Sequence, residues 1–162
     1  MAFDSFIKFD GIPGESKDDK HKDWIEVLSF SQEMDQPASA TGSSAGGSTA
    51  ERVNFSTYNI VHYIDKASTK LAEACCKGTH IKEVTIDFCR SGGDKLTYYT
   101  VKLEQVLVSN IQLSGTHSDD AGFPTESISL TFGKISWTYT QQGADGKAAG
   151  QIFSKWDLTT NK

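Results

Sequence analysis

Apolar side chains in this chain recur at every second position over long stretches, and that period demands strands, because a helix needs spacings of three and four. Within 24–34, Trp24, Leu28, Phe30 and Met34 share one parity, which predicts a long strand. Val53, Phe55, Thr57, Asn59, Val61 and Tyr63 alternate likewise, as do Val84, Ile86 and Phe88, and then Tyr99, Val101 and Leu103. Ile128, Leu130 and Phe132 hold even parity, whereas Ile135, Trp137 and Tyr139 hold odd parity, so a bulge or bend is expected at Gly133. A last strand runs from Ile152 to Leu158, with Ile152, Trp156 and Leu158 on one side. Turns punctuate these runs at Gly11 to Gly14, at Ser91-Gly92-Gly93-Asp94 and at Ala144-Asp145-Gly146, and the pair flanking Gly92-Gly93 reads as a hairpin. One segment, about 69–77, reads as a helix, with Ser68 as N-cap, Leu71, Ala74 and Cys75 at helical spacing and Gly78 as the C′ residue. The fold class is therefore mainly β: an antiparallel β-barrel or sandwich with one short flanking α-helix.

The 162 residues suffice for one domain, 1–162, that buries on the order of two-thirds of its surface without disulfides. Sixteen basic against 21 acidic residues leave a formal charge of −5, so no global basic field exists for nucleic acid or anionic lipid. No window approaches membrane-span length, and the opening MAFDSFIKFD lacks an apolar run of signal-peptide length, so neither stable membrane insertion nor export by the general route is expected. Cys75, Cys76 and Cys89 are odd in number and do not form a disulfide framework, which points to synthesis in a reducing cytoplasm. The stretch Pro37 to Ala50 has no charge and no large apolar side chain, and reads as a long projecting loop.

Chemistry-bearing motifs are weak. Gly42-Ser43-Ser44-Ala45-Gly46 matches the nucleophile-elbow pattern, but the strand and helix that such a turn must join are missing around it, so neither His62 nor His80 completes a triad. The mixed-sign run 17–23 (KDDKHKD) around His21 reads as a solvated turn, and His117 to Asp120 lacks the ligand pattern of a calcium loop. No metal and no cofactor are expected, and no phosphate-binding glycine loop is present. Cys75 and Cys76, at the negative end of the helix, read as packing residues.

Several blocks, taken in order, carry a resemblance: MAFDSFIK with Gly11 and Gly14-Glu15-Ser16; HKDWIEVLSFS (21–31); Tyr63 to Ser68 leading into the helix; ACCKGTHI (74–81); and the Arg90 to Gly93 turn. Tyr98-Tyr99, VLVS (106–109), ESISLTFGKISWTY (126–139), Trp156-Asp157 and Asn161 continue it to the end. Together they resemble the haemolysin-coregulated protein (Hcp) family, the tube protein of type VI secretion, over essentially the whole chain. Lys155 departs from the family's usual Gly before Trp-Asp, and the Pro37 to Ala50 loop falls where members vary.

The resemblance implies a non-enzymatic structural subunit that closes into a homohexameric ring and stacks into a hollow tube. Such a tube is driven by a contractile sheath, tipped by a spike protein of the valine-glycine repeat family, and secreted from the bacterial cytoplasm without a signal peptide, carrying or chaperoning effector proteins. It also implies that the loop after the second strand, here 35–51 with Asp35, Gln36, Pro37, Thr49 and Glu51, makes contacts between subunits and rings. A lumen favours small polar side chains, so Ser29, Ser31 and Glu33, opposite Leu28, Phe30 and Met34, are the expected luminal, cargo-contacting residues. Two other classes stay open at this point: a monomeric ligand-binding sandwich using Trp24, Trp137 and Trp156, and an esterase built on Ser44. With four residues after Leu158, no appended toxin domain is expected.

Overall fold

The computed structural model describes residues 3–37, 52–92, 95–117 and 122–162. In chain order the elements are β1 (Phe3–Phe9), β2 (Ile25–Glu26), β3 (Ser29–Ser31), β4 (Met34–Asp35), β5 (Asn54–Phe55), β6 (Tyr58–Tyr63), α1 (Ala67–Lys77), β7 (Ile81–Arg90), β8 (Thr97–Ser114), β9 (Thr125–Thr131), β10 (Lys134–Gln142) and β11 (Ala148–Asp157). All strand pairs are antiparallel, in the order β2-β1-β7-β8-β9-β6-β3, with β10 between β8 and β11 and a separate β4-β5 ribbon. The sheet does not close on itself, so of the two expected architectures the sandwich is the one found.

The long strand β8 organises both layers. One edge holds β7, while the other pairs with β10 through Tyr99 to Glu104 and with β9 through Leu107 to Ser114. The register runs on across the junction, since Leu107 faces Thr131 and Glu104 faces Lys134. The parity switch at Gly133 is therefore the corner where β9 and β10, successive partners on one edge, leave one layer for the other. Gln105 takes φ 55° opposite it, and a Cβ on Gly133 would come within 3.2 Å of the Gln105 Cβ, so a larger residue there would have to push the Gln105 side chain aside.

The core lies between the layers, from Ile7, Val84, Ile86, Val101 and Leu103 on one side to Ile60, Ile128 and Leu130 on the other, with Leu71 of α1 fully buried among them. Trp137, Trp156 and Leu158 pack against this core. The β7–β8 hairpin and the β10–β11 turn form as the sequence predicts. So does the helix end at Gly78, where φ 61° lets Thr79 N–H reach the Ala74 carbonyl at 3.0 Å.

Four expectations are corrected. The segment 24–34 is not one strand: Val27 N–H donates to the Ser5 carbonyl and Leu28 N–H to the Val61 carbonyl, so the chain changes partners within one residue and its parity resets. Ile25 and Val27 are buried instead, and Leu28, Phe30 and Met34 are exposed. The alternation expected over 53–63 holds as far as Thr57, with Phe55 packed on the core, and then inverts, because β5 and β6 have different partners and the inward residues of β6 are Tyr58, Ile60 and His62. The helix starts two residues early; the Asp65 carboxylate accepts the Ala67 N–H at 2.9 Å, and Ser68 reaches back to the Asp65 N–H at 3.2 Å. Finally, β11 starts at Ala148 and, among the described residues, pairs only with β10; Ile152 on this edge strand is 68% exposed.

Candidate functional site

The segment that changes partners at Val27 and Leu28 presents a strip of apolar side chains to solvent. Phe30, 41% exposed, lies 4.6 Å from the Phe88 ring and 6.2 Å from Phe3, which is itself exposed. Met34 follows on β4, and with Phe30, Gln32, Tyr58, Tyr99 and Trp137 it lines a groove of about 270 Å³. Burial of Tyr58 pushes its phenol well above the ordinary value, so the hydroxyl stays protonated.

The expected luminal residues sit beside this strip. Ser29 faces Val61 and Ser31 faces Asn59 across the β3–β6 pair, and both serines are exposed. Glu33 is exposed too, its backbone N–H donating to the Ser56 hydroxyl at 2.8 Å and its carbonyl accepting the Ser56 N–H at 2.9 Å. Of the expected contact loop, Asp35 pairs with Asn54 in the β4–β5 ribbon, Gln36 is exposed and Pro37 half-buried. Thr49, Glu51 and Ser44 lie outside the described residues, as do Gly93, Asp94, Asp119 and Asp120.

A second exposed surface lies on β11, which among the described residues pairs only with β10 and carries Ile152 and Phe153. A third gathers Tyr63, Ile64 and Phe123, with the Tyr63 and Phe123 rings 6.4 Å apart.

Sequence reading missed an ionic cluster. His21, expected in a solvated turn, is buried, with Nδ1 2.9 Å from Asp18 Oδ1 and Nε2 3.0 Å from Asp87 Oδ2. Its ring stacks on Phe6 at 4.3 Å and meets the edge of Trp24. Thr100 Oγ1 donates to Asp87 at 2.7 Å, and Lys95 Nζ reaches Asp18 at 2.8 Å and Asp4 at 3.3 Å. The Lys95 bond, and then the His21 bond, hold the Asp18 carboxyl far below the usual carboxylate range. The cluster ties the 16–24 loop and the residues before β8 to the face of β1 and β7. The signal available in the sequence was Trp24 after the KDDKHKD run, an aromatic able to cover a folded-back histidine.

His62 and Glu126 face each other across β6 and β9, both buried, with Nε2 3.8 Å from Oε2, beyond hydrogen-bond reach. Cys75 packs against the core as expected, whereas Cys76 is exposed because it falls on the outward side of α1. Burial pushes the Cys89 thiol up. Among the described residues no group of three or more metal-type side chains gathers, and no helix is long and apolar enough to cross a membrane.

Comparison with known proteins identifies this architecture. The family described as "Type VI secretion system effector, Hcp" matches residues 6–139. Protein hcp1 of Pseudomonas aeruginosa PAO1 is 34% identical over 163 residues, covering 99% of this chain and 98% of that protein. Among solved structures, one described as a type six secretion system protein is 36% identical with a TM-score of 0.91, covering 99% of each chain. Hcp1 from Salmonella typhimurium is 33% identical with a TM-score of 0.82, covering 100% of this chain and 99% of that one. On full-length identity and shared fold alike, the chain belongs to the Hcp family of type VI secretion proteins.

Proposed function

We propose that this chain is the ring-forming subunit of a type VI secretion tube, with 1–162 acting as one domain and six copies closing into a ring that stacks on others. The observation that carries this reading is the exposure of two apolar surfaces on the open sheet: Ile152 on β11, which among the described residues pairs only with β10, and the strip Phe3, Leu28, Phe30 and Met34. A surface that meets a different surface on the next copy is heterologous, and such a contact closes into a ring when its rotation allows. The loop 35–51, through Asp35, Gln36, Pro37, Thr49 and Glu51, adds contacts between subunits and rings.

In this reading Ser29, Ser31 and Glu33 face the lumen, where short polar side chains let effector proteins be held and released. The spike protein of the valine-glycine repeat family caps the stack and a contractile sheath drives it. The subunit is made in the bacterial cytoplasm and leaves by the type VI route, as a structural part and not a catalyst. Negative-stain imaging of the purified protein tests this: six-fold rings with a central opening are the expected result, and a field of particles without openings contradicts it.

A further inference from the structure

We propose that the row Lys8, Lys102 and Lys155 is a docking track for an acidic segment of another polypeptide in polyproline-II conformation. The row follows from strand register. Lys8 faces Thr85, Thr85 faces Lys102, Lys102 faces Ser136 and Ser136 faces Lys155, so cations and small hydroxyls alternate across β1, β7, β8, β10 and β11. The inward neighbours Ile7, Ile86, Val101, Leu103 and Ile135 are core residues, which leaves the row on the opposite face of the layer. One end lies in a groove of about 280 Å³ with Lys8, Trp24 and Thr85, and the other in a groove of about 660 Å³ with Lys102, Ser136 and Lys155.

Acidic residues lie in the adjacent rows: Asp10 and Glu83 balance Lys8 and Lys82 in the groove at one end, while at the other Lys102, Lys134, Lys155 and Lys162 outnumber Glu104 and Asp157. Lys102 pairs with Glu83 at 3.5 Å and Lys134 with Asp157 at 3.9 Å. Among the described residues Lys155 has no carboxylate within 4.0 Å, and Lys8 has only the Trp24 ring, 5.9 Å below its ammonium. Thr85 and Ser136 hydroxyls are likewise uncommitted there, and can donate to peptide carbonyls.

Spacing selects the occupant. Neighbouring strands lie about 4.8 Å apart, so successive lysines are about 9.6 Å apart and the track is about 19 Å long. A polyproline-II helix repeats each face every third residue with a rise of about 9.3 Å per turn, and its backbone carbonyls are free because it has no internal hydrogen bonds. Acids at every third position therefore meet Lys8, Lys102 and Lys155 in step. An extended strand presents same-face acids about 6.8 Å apart and falls out of step. Trp24 at one end supplies the aromatic surface that such segments use for proline rings.

The probe is a fluorescein-labelled peptide of three Glu-Pro-Pro repeats, compared by anisotropy with a peptide of the same composition whose glutamates are contiguous. The purified full chain is expected to bind the repeat peptide in a salt-weakened manner, with the Lys8→Gln/Lys102→Gln/Lys155→Gln variant losing roughly tenfold or more in affinity. The single Lys155→Gln variant, on an exposed edge strand, is expected to lose about threefold with an unchanged melting curve. Equal affinity for the contiguous peptide, equal binding by the triple variant or no binding overturns the proposal. Tighter binding of a single-stranded oligonucleotide, or a triple variant that alters native mass without any peptide binding, also overturns it, assigning the face to nucleic acid or to a second copy. Native mass recorded on the same samples separates this result from failure of the ring reading.

Discussion

Two buried histidines, one on each layer, are treated in opposite ways by the fold. His21 sits between two carboxylates at 2.9 and 3.0 Å, stacked on Phe6, and every charged group around it has a partner. Each ring nitrogen lies within hydrogen-bond distance of a different carboxylate, so the imidazole is tied to Asp18 and Asp87 at once. His62 and Glu126 are more deeply buried, 0% and 1% exposed, yet they stop 3.8 Å apart, and no hydrogen-bond partner satisfies either imidazole nitrogen or Glu126 Oε1. Burial of a polar group is sustained by bonding and not by proximity, so the first cluster holds the molecule together and the second pair weighs against it. That loss falls on the β6–β9 seam, which joins β3 and β6 to the rest of the sheet.

The contrast breaks most sharply at His21. The His21→Leu variant is expected to lose about 3 kcal/mol in urea unfolding, since two carboxylates are left facing an apolar side chain. The double variant His62→Leu/Glu126→Leu is expected to gain about 1–2 kcal/mol, and Glu126→Leu alone to change stability by less, since the imidazole has no hydrogen bond to Glu126 to lose. A loss of several kcal/mol in either variant would mean that the pair is well bonded and the contrast false.

Acid sharpens the same comparison. The folded carboxyl of Asp18 is depressed, so its contribution is complete above the ordinary value of 3.8 and is lost as pH falls below it towards the lower folded value. Melting temperature followed from pH 6 down to pH 2 is expected to fall below about pH 4, and less steeply in Asp18→Asn. The smallest stability effect belongs to Ser31→Gln, a change on an exposed strand position that is expected to leave melting and rings unaltered while reducing effector pull-down. Unchanged pull-down removes Ser31 from the lumen.

Sequence periodicity reveals what one partner strand controls. Val84, Ile86 and Phe88 alternate along an uninterrupted ladder, and so do Val101 and Leu103, so their inward faces are readable from the residues alone. The parity switch at Gly133 marks a real corner because both strands meet the same edge of β8. Periodicity misleads where a segment changes partners midway, at Val27-Leu28 and before β6, since each new ladder sets its own inward face. His21 was hidden for another reason. Its burial depends on Asp87, Thr100 and Lys95, which lie far along the chain and come together only through β1, β7 and β8. Local composition reads the KDDKHKD run as solvated because the run contains only half of the cluster.

The apolar strip at Phe30 and Met34 and the exposed Ile152 on β11 are costly surfaces for a lone monomer, and ring closure is the account's reason for both. Light scattering of the purified chain at micromolar concentration tests that claim most directly. The account predicts a species of six times 17.7 kDa, and a stable 17.7 kDa monomer would contradict it.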